Sequence, residues 1–66
     1  MAVARTFLLK PTDSLLTAFE RVSANGEGFA AVVDEKKQLL GTFCDADGRH
    51  ALLAGTSLED PVSDVM

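Results

Sequence analysis

Phe29-Ala30-Ala31-Val32-Val33, then Asp34-Glu35-Lys36-Lys37, then Gln38-Leu39-Leu40-Gly41-Thr42-Phe43-Cys44 is the stretch that decides the fold. Five apolar residues in a row, stopped by charge, read as a strand covered on both faces. The tetrapeptide 34–37 reads as a turn, and 38–44 as a returning strand, so the two form an antiparallel hairpin. Lys36 and Lys37 stand where Gly or Asn would enter a tight turn more easily.

Upstream, Leu15, Ala18, Phe19 and Val22 fall at i, i+3, i+4 and i+7, the apolar stripe of one helix. Ser14 is placed to cap its start, with Asp13 adding negative charge at the positive helix end. Gly26 suits a left-handed C-terminal cap. Before the helix, Thr6-Phe7-Leu8-Leu9 reads as a strand that Lys10-Pro11 ends. Downstream, a second helix is expected over about 46–53, capped by Asp45 and closed by Gly55, with Ala51, Leu52 and Leu53 as its apolar face. Gly48 costs that helix up to about 1 kcal/mol relative to Ala. Residues 56–61 read as a polar connector that Pro61 ends, and 62–66 begin a further segment.

The order strand, helix, strand, strand, helix makes this an α/β (α+β) unit, a small sheet with two helices on one face. At 66 residues it is one domain. A domain of about 60 residues buries only about 60% of the surface its unfolded chain exposes. A lone Cys44 gives no internal disulfide, and one Cys with one His gives no metal cage. With 47% hydrophobic residues, the chain is expected to bury apolar surface against a partner. Six basic residues against ten acidic ones, a net charge of −4, argue against nucleic acid. No apolar run reaches the roughly 20 residues of a membrane span. The N-terminus lacks a signal-peptide pattern, and a single cysteine fits a reducing cytoplasm.

The residues now on the page resemble a CBS motif. Phe29 to Glu35, then Leu39-Leu40-Gly41-Thr42-Phe43-Cys44-Asp45-Ala46-Asp47, match that family's run: a strand ending in valine-valine-aspartate, a turn, glycine, two apolar residues, a Thr or Ser position, and Asp. Lys10-Pro11, Ser14-Leu15-Leu16, Ala51-Leu52-Leu53 and Pro61-Val62-Ser63-Asp64-Val65-Met66 follow its layout. The resemblance covers residues 1–66 as one motif, with 56–66 as a connector leading out of it. Within the family it is similar to the segment attached to sugar-nucleotide-forming nucleotidyltransferases.

The resemblance implies a regulatory module, not an enzyme. It implies pairing with a second CBS motif (here a homodimer), an attached or associated enzyme as the regulated partner, and no required cofactor. AMP, ADP, ATP or S-adenosylmethionine is the implied class of ligand. Asp47 would hold the ribose diol, a task that suits a carboxylate accepting two hydrogen bonds. Gly28, Ala30 and Ala31 would line the base slot, with Thr6 and Phe7 nearby. The second helix N-terminus and Arg49 would face phosphate.

Two departures bear on this. Cys44 replaces a Thr or Ser hydroxyl with a poor donor, and Asp45 adds negative charge. Both point to a nucleoside or monophosphate, or to a module used only for dimerisation of a larger enzyme. Gly48, in place of a larger apolar residue, is expected to thin the helix–sheet contact. Other chemistries fit poorly. Cys44 as nucleophile lacks a base and an orienting group. A zinc site from Cys44, Asp47 and His50 lacks a fourth ligand. A calcium loop starting at Asp45 fails at Arg49 and Thr56.

Overall fold

A computed structural model describes residues 7–66. It contains β1 (Leu8–Leu9), α1 (Leu15–Asn25), β2 (Phe29–Val33), β3 (Leu39–Cys44) and α2 (Asp45–Leu53), followed by a short 3-10 turn at Val62–Asp64. The sheet order is β1-β2-β3. β1 runs parallel to β2, with Leu8 opposite Ala31 and Leu9 opposite Val32. β2 and β3 form the expected antiparallel hairpin, with a bulge at Val32/Val33. Both helices lie against one face, so the β-α-β-β-α unit read from the sequence is the fold. The strand expected over 6–9 shrinks to two residues among those described, and Thr6 lies outside them.

The alternation of β2 sorts its side chains. Ala30 and Val32 enter the core with Leu9, Leu15, Ala18, Val22, Phe43 and Val62. Phe29, Ala31 and Val33 therefore belong to the opposite face, as the period of two requires. α1 follows its sequence signals closely. The Thr17 N–H donates to Ser14 Oγ at 3.1 Å, and Gly26 takes φ +69°, a conformation that an L side chain resists. Residues 56–66 pack back onto the unit. The Leu15 N–H donates to the Asp60 carbonyl at 2.8 Å, and the Val62 N–H to the Asp13 carbonyl at 2.7 Å. The first bond serves a free donor at the α1 N-terminus, and the second helps hold Val62, fully buried, in the core.

α2 corrects three readings. It starts at Asp45, with Cys44 and not Asp45 as the N-cap. The Cys44 N–H donates to Asp47 Oδ2 at 3.2 Å, so the acid three residues on holds the cap. Leu52 and Leu53 are exposed, the latter at 87%, so the helix buries neither. Its buried residue is Gly48. A Cβ there would stand 2.8 Å from Phe43 Cζ and closer still to the Phe19 ring. The missing side chain does not thin the contact. It admits the two rings, which meet edge to face at 5.6 Å and 86°.

Candidate functional site

One end of the sheet gathers half of the predicted site. Phe29 opens β2 and lies opposite Cys44, the last residue of β3. Phe7 meets the Phe29 ring edge to face, with centroids 4.9 Å apart. Gly28 precedes Phe29, and a Cβ built there would meet nothing within 4 Å. Asp47 lies one turn into α2, directly after Cys44. Gly28, Phe7, Cys44 and Asp47 thus converge where β2 begins and β3 ends.

The remaining site residues divide. Ala30 is fully buried among core side chains, so it can offer a slot only its backbone, whereas Ala31 belongs to the outer face. Arg49 turns aside: its Nε pairs with Asp45 Oδ2 at 3.5 Å, and both side chains are mostly exposed. Such an i,i+4 surface pair contributes about 0.3–0.5 kcal/mol. Cys44 is half-buried and in no disulfide. Among the described residues no three His, Cys, Asp or Glu side chains stand together as metal ligands.

The electrostatics disfavour a polyphosphate at this end. Asp45 and Asp47 both occupy the first turn of α2, where they complement the helix dipole that a phosphate would otherwise meet. Two residues at the rim were not singled out by the sequence reading. Phe29, 39% exposed, presents its ring beside the Gly28 opening. Asn25 closes the loop behind it: Nδ2 donates to the Phe29 carbonyl at 2.9 Å and Oδ1 accepts from the Glu27 N–H at 2.7 Å. The signal for Phe29 was present, since strand alternation places it with Ala31 and Val33. That for Asn25 was not, because a helix C-terminal amide has many uses.

The outer face is apolar and partly open: Ala31 and Val33 are buried on it, at 9% and 8%. Phe29, Leu39 and Leu40 are exposed hydrophobics on the hairpin, at 39%, 66% and 47%. Among the described residues no helix is long and apolar enough to cross a membrane.

No family model matches the chain. The arabinose 5-phosphate isomerase GutQ of Escherichia coli K12 is 38% identical over 55 residues, which is 83% of this chain and 17% of that protein. Among solved structures, an uncharacterized conserved protein from Pyrococcus horikoshii superposes with a TM-score of 0.81 at 22% identity, covering 96% of this chain and 49% of the other. Staphylococcus aureus OpuCA gives 0.75 at 17% identity, covering 96% and 50%. The chain therefore spans about a sixth of the isomerase it matches and about half of each structural neighbour, and it shares with those neighbours the β-α-β-β-α fold.

Proposed function

We propose that this chain is a CBS motif: a regulatory, non-catalytic module that pairs with a second unit of its kind and binds an adenosine nucleotide or related adenosyl ligand in the cleft between them. The observation that carries the reading is the open sheet face. An antiparallel hairpin exposing Phe29, Leu39 and Leu40 beside a fully packed inner face leaves one layer of a two-layer contact to be supplied. The matched stretch fills 49% and 50% of the two structural neighbours, room in each for one further unit of this size. Phe29, Gly28 and the Ala31 backbone give the base an apolar slot, and Asp47 takes the ribose. In a sugar-phosphate isomerase such as the GutQ relative, a unit of this kind would report a nucleotide signal to the catalytic domain by shifting the population of domain arrangements.

A second reading rests on Asp47 itself. Its carboxylate already accepts from the Cys44 N–H, and Arg49 is paired with Asp45. The module would then serve only to dimerise a larger enzyme.

A thermal-melt screen against AMP, ADP, ATP and S-adenosylmethionine separates the two. A ligand at 100 times its dissociation constant stabilises by about 2.7 kcal/mol, and each kcal/mol moves the midpoint of a domain this small by about 4–8 °C. The sensor reading expects such a shift with one adenosyl ligand and its loss in Asp47→Asn, which keeps an oxygen to cap Cys44. No shift with any of the four withdraws the ligand and leaves the dimerisation module.

A further inference from the structure

The opposite end of the sheet carries a second feature, built by residues with no part in the adenosyl reading. β1 and β2 run parallel, so the turns that follow them, 10–13 and 34–38, stand side by side. Between them lies an open groove of about 1090 Å³. Lys10, Arg21, Lys36 and Lys37 line it, four of the six basic residues in the sequence. Asp13, Asp34 and Glu35 line it too. Four cations against three acids leave a surplus of one positive charge, on a chain whose net charge is −4.

Two of the three acids shape the turns. Asp13 Oδ2 accepts from the Lys10 N–H at 2.9 Å. Asp34 Oδ1 accepts from the Lys36 and Gln38 N–H groups at 2.8 and 2.9 Å. They keep their charge, as does the exposed Glu35, and the cations outnumber the three by one. Arg49 pairs with Asp45 on α2, outside the groove. Arg21 is held differently, donating through Nη1 to the Leu8 carbonyl at 3.2 Å. It fixes a positive charge at the groove wall, where Lys10, Lys36 and Lys37 are exposed.

Lys37, with φ +65°, turns the chain at the groove rim.

We infer that this groove is a site for a small phosphomonoester, with Lys10, Lys36 and Lys37 around the phosphate and the Thr12 hydroxyl as a further donor. Ammonium groups on flexible stems suit a dianion as point charges and make charge-assisted hydrogen bonds to its oxygens. The groove walls at Leu8 and Val33 offer apolar contact to the body of the ligand.

The experiment is an NMR titration of the isotope-labelled full chain with sodium phosphate and with glycerol 3-phosphate, against sodium chloride at matched ionic strength. The expected result is a saturable shift of the 10–13 and 34–38 amides with both phosphates and not with chloride. Lys36→Gln combined with Lys37→Gln, both at exposed positions, should weaken it about tenfold or more, the equivalent of one lost bond between charged groups. Lys37→Gly should weaken phosphate while melting no lower than the parent chain, which separates lost charge from lost fold. Absence of a saturable shift, or a shift that survives the double substitution, overturns the site. A response confined to 44–47 also overturns it, while agreeing with a ligand at the other end of the sheet.

Discussion

The two helices pack on the same face of the same sheet and are held there in opposite ways. α1 contributes a stripe, with Leu15 and Ala18 at 0% and Val22 at 8% exposure. α2 contributes an absence: Gly48 lets Phe19 and Phe43 occupy the space a side chain would take, while Leu52 and Leu53 face outward. A periodic apolar pattern is one way to dock a helix. A close approach of its backbone to aromatic rings is another, and hydropathy does not record it.

Five substitutions test that contrast, and urea unfolding of the purified chain measures each. Leu15→Ala empties a fully buried site on α1 and should cost about 2–5 kcal/mol, enough to abolish folding in a domain this small. Gly48→Ala is the sharper test. Helix propensity alone predicts a gain of about 1 kcal/mol, whereas the ring contacts predict a net loss of about 1–3 kcal/mol from overpacking. A gain would show that Phe19 and Phe43 yield freely and that α2 is loosely docked. Asp47→Ala should cost about 1 kcal/mol as a lost cap, and Asp47→Asn less, which makes the second the cleaner probe of ligand binding. Leu53→Ser, at 87% exposure, should change stability by no more than about 0.5 kcal/mol. A larger loss would mean that α2 faces a partner.

The outer face of the hairpin bears on the proposed pairing. Phe29, Leu39 and Leu40 remain exposed on the hairpin, with the bulge at Val32/Val33 interrupting the alternation beside the two leucines. The reading of 29–33 as a strand covered on both faces holds for Ala30 to Val33, all of them buried, and not for Phe29.

Most features with a local cause are legible in the sequence. The α2 cap at Cys44 and Asp47 and the Arg49–Asp45 pair are local too, but cysteine is not among the favoured cap residues and a surface arginine has several possible partners. Ser14 caps α1 because a hydroxyl next to a free N–H needs nothing distant. Gly26 ends α1 because positive φ excludes a Cβ. β2 spans Phe29 to Val33 because five apolar residues are bounded by glycine and charge. Cys44, Gly28, Phe7 and Asp47 were expected together, and pairing of β2 with β3 brings them to one end. Only the tertiary structure decided what depends on residues far apart in the chain. It made Gly48 a tight contact, since Phe19 and Phe43 come from other elements. It buried Val62 in the core with Leu15 and Ala18. It also set the turn after β1 beside the turn after β2, gathering Lys10, Lys36 and Lys37 around one groove. Local hydrogen bonds and backbone sterics act within a few residues and can be read in order, whereas packing and charge clustering follow from which surfaces meet.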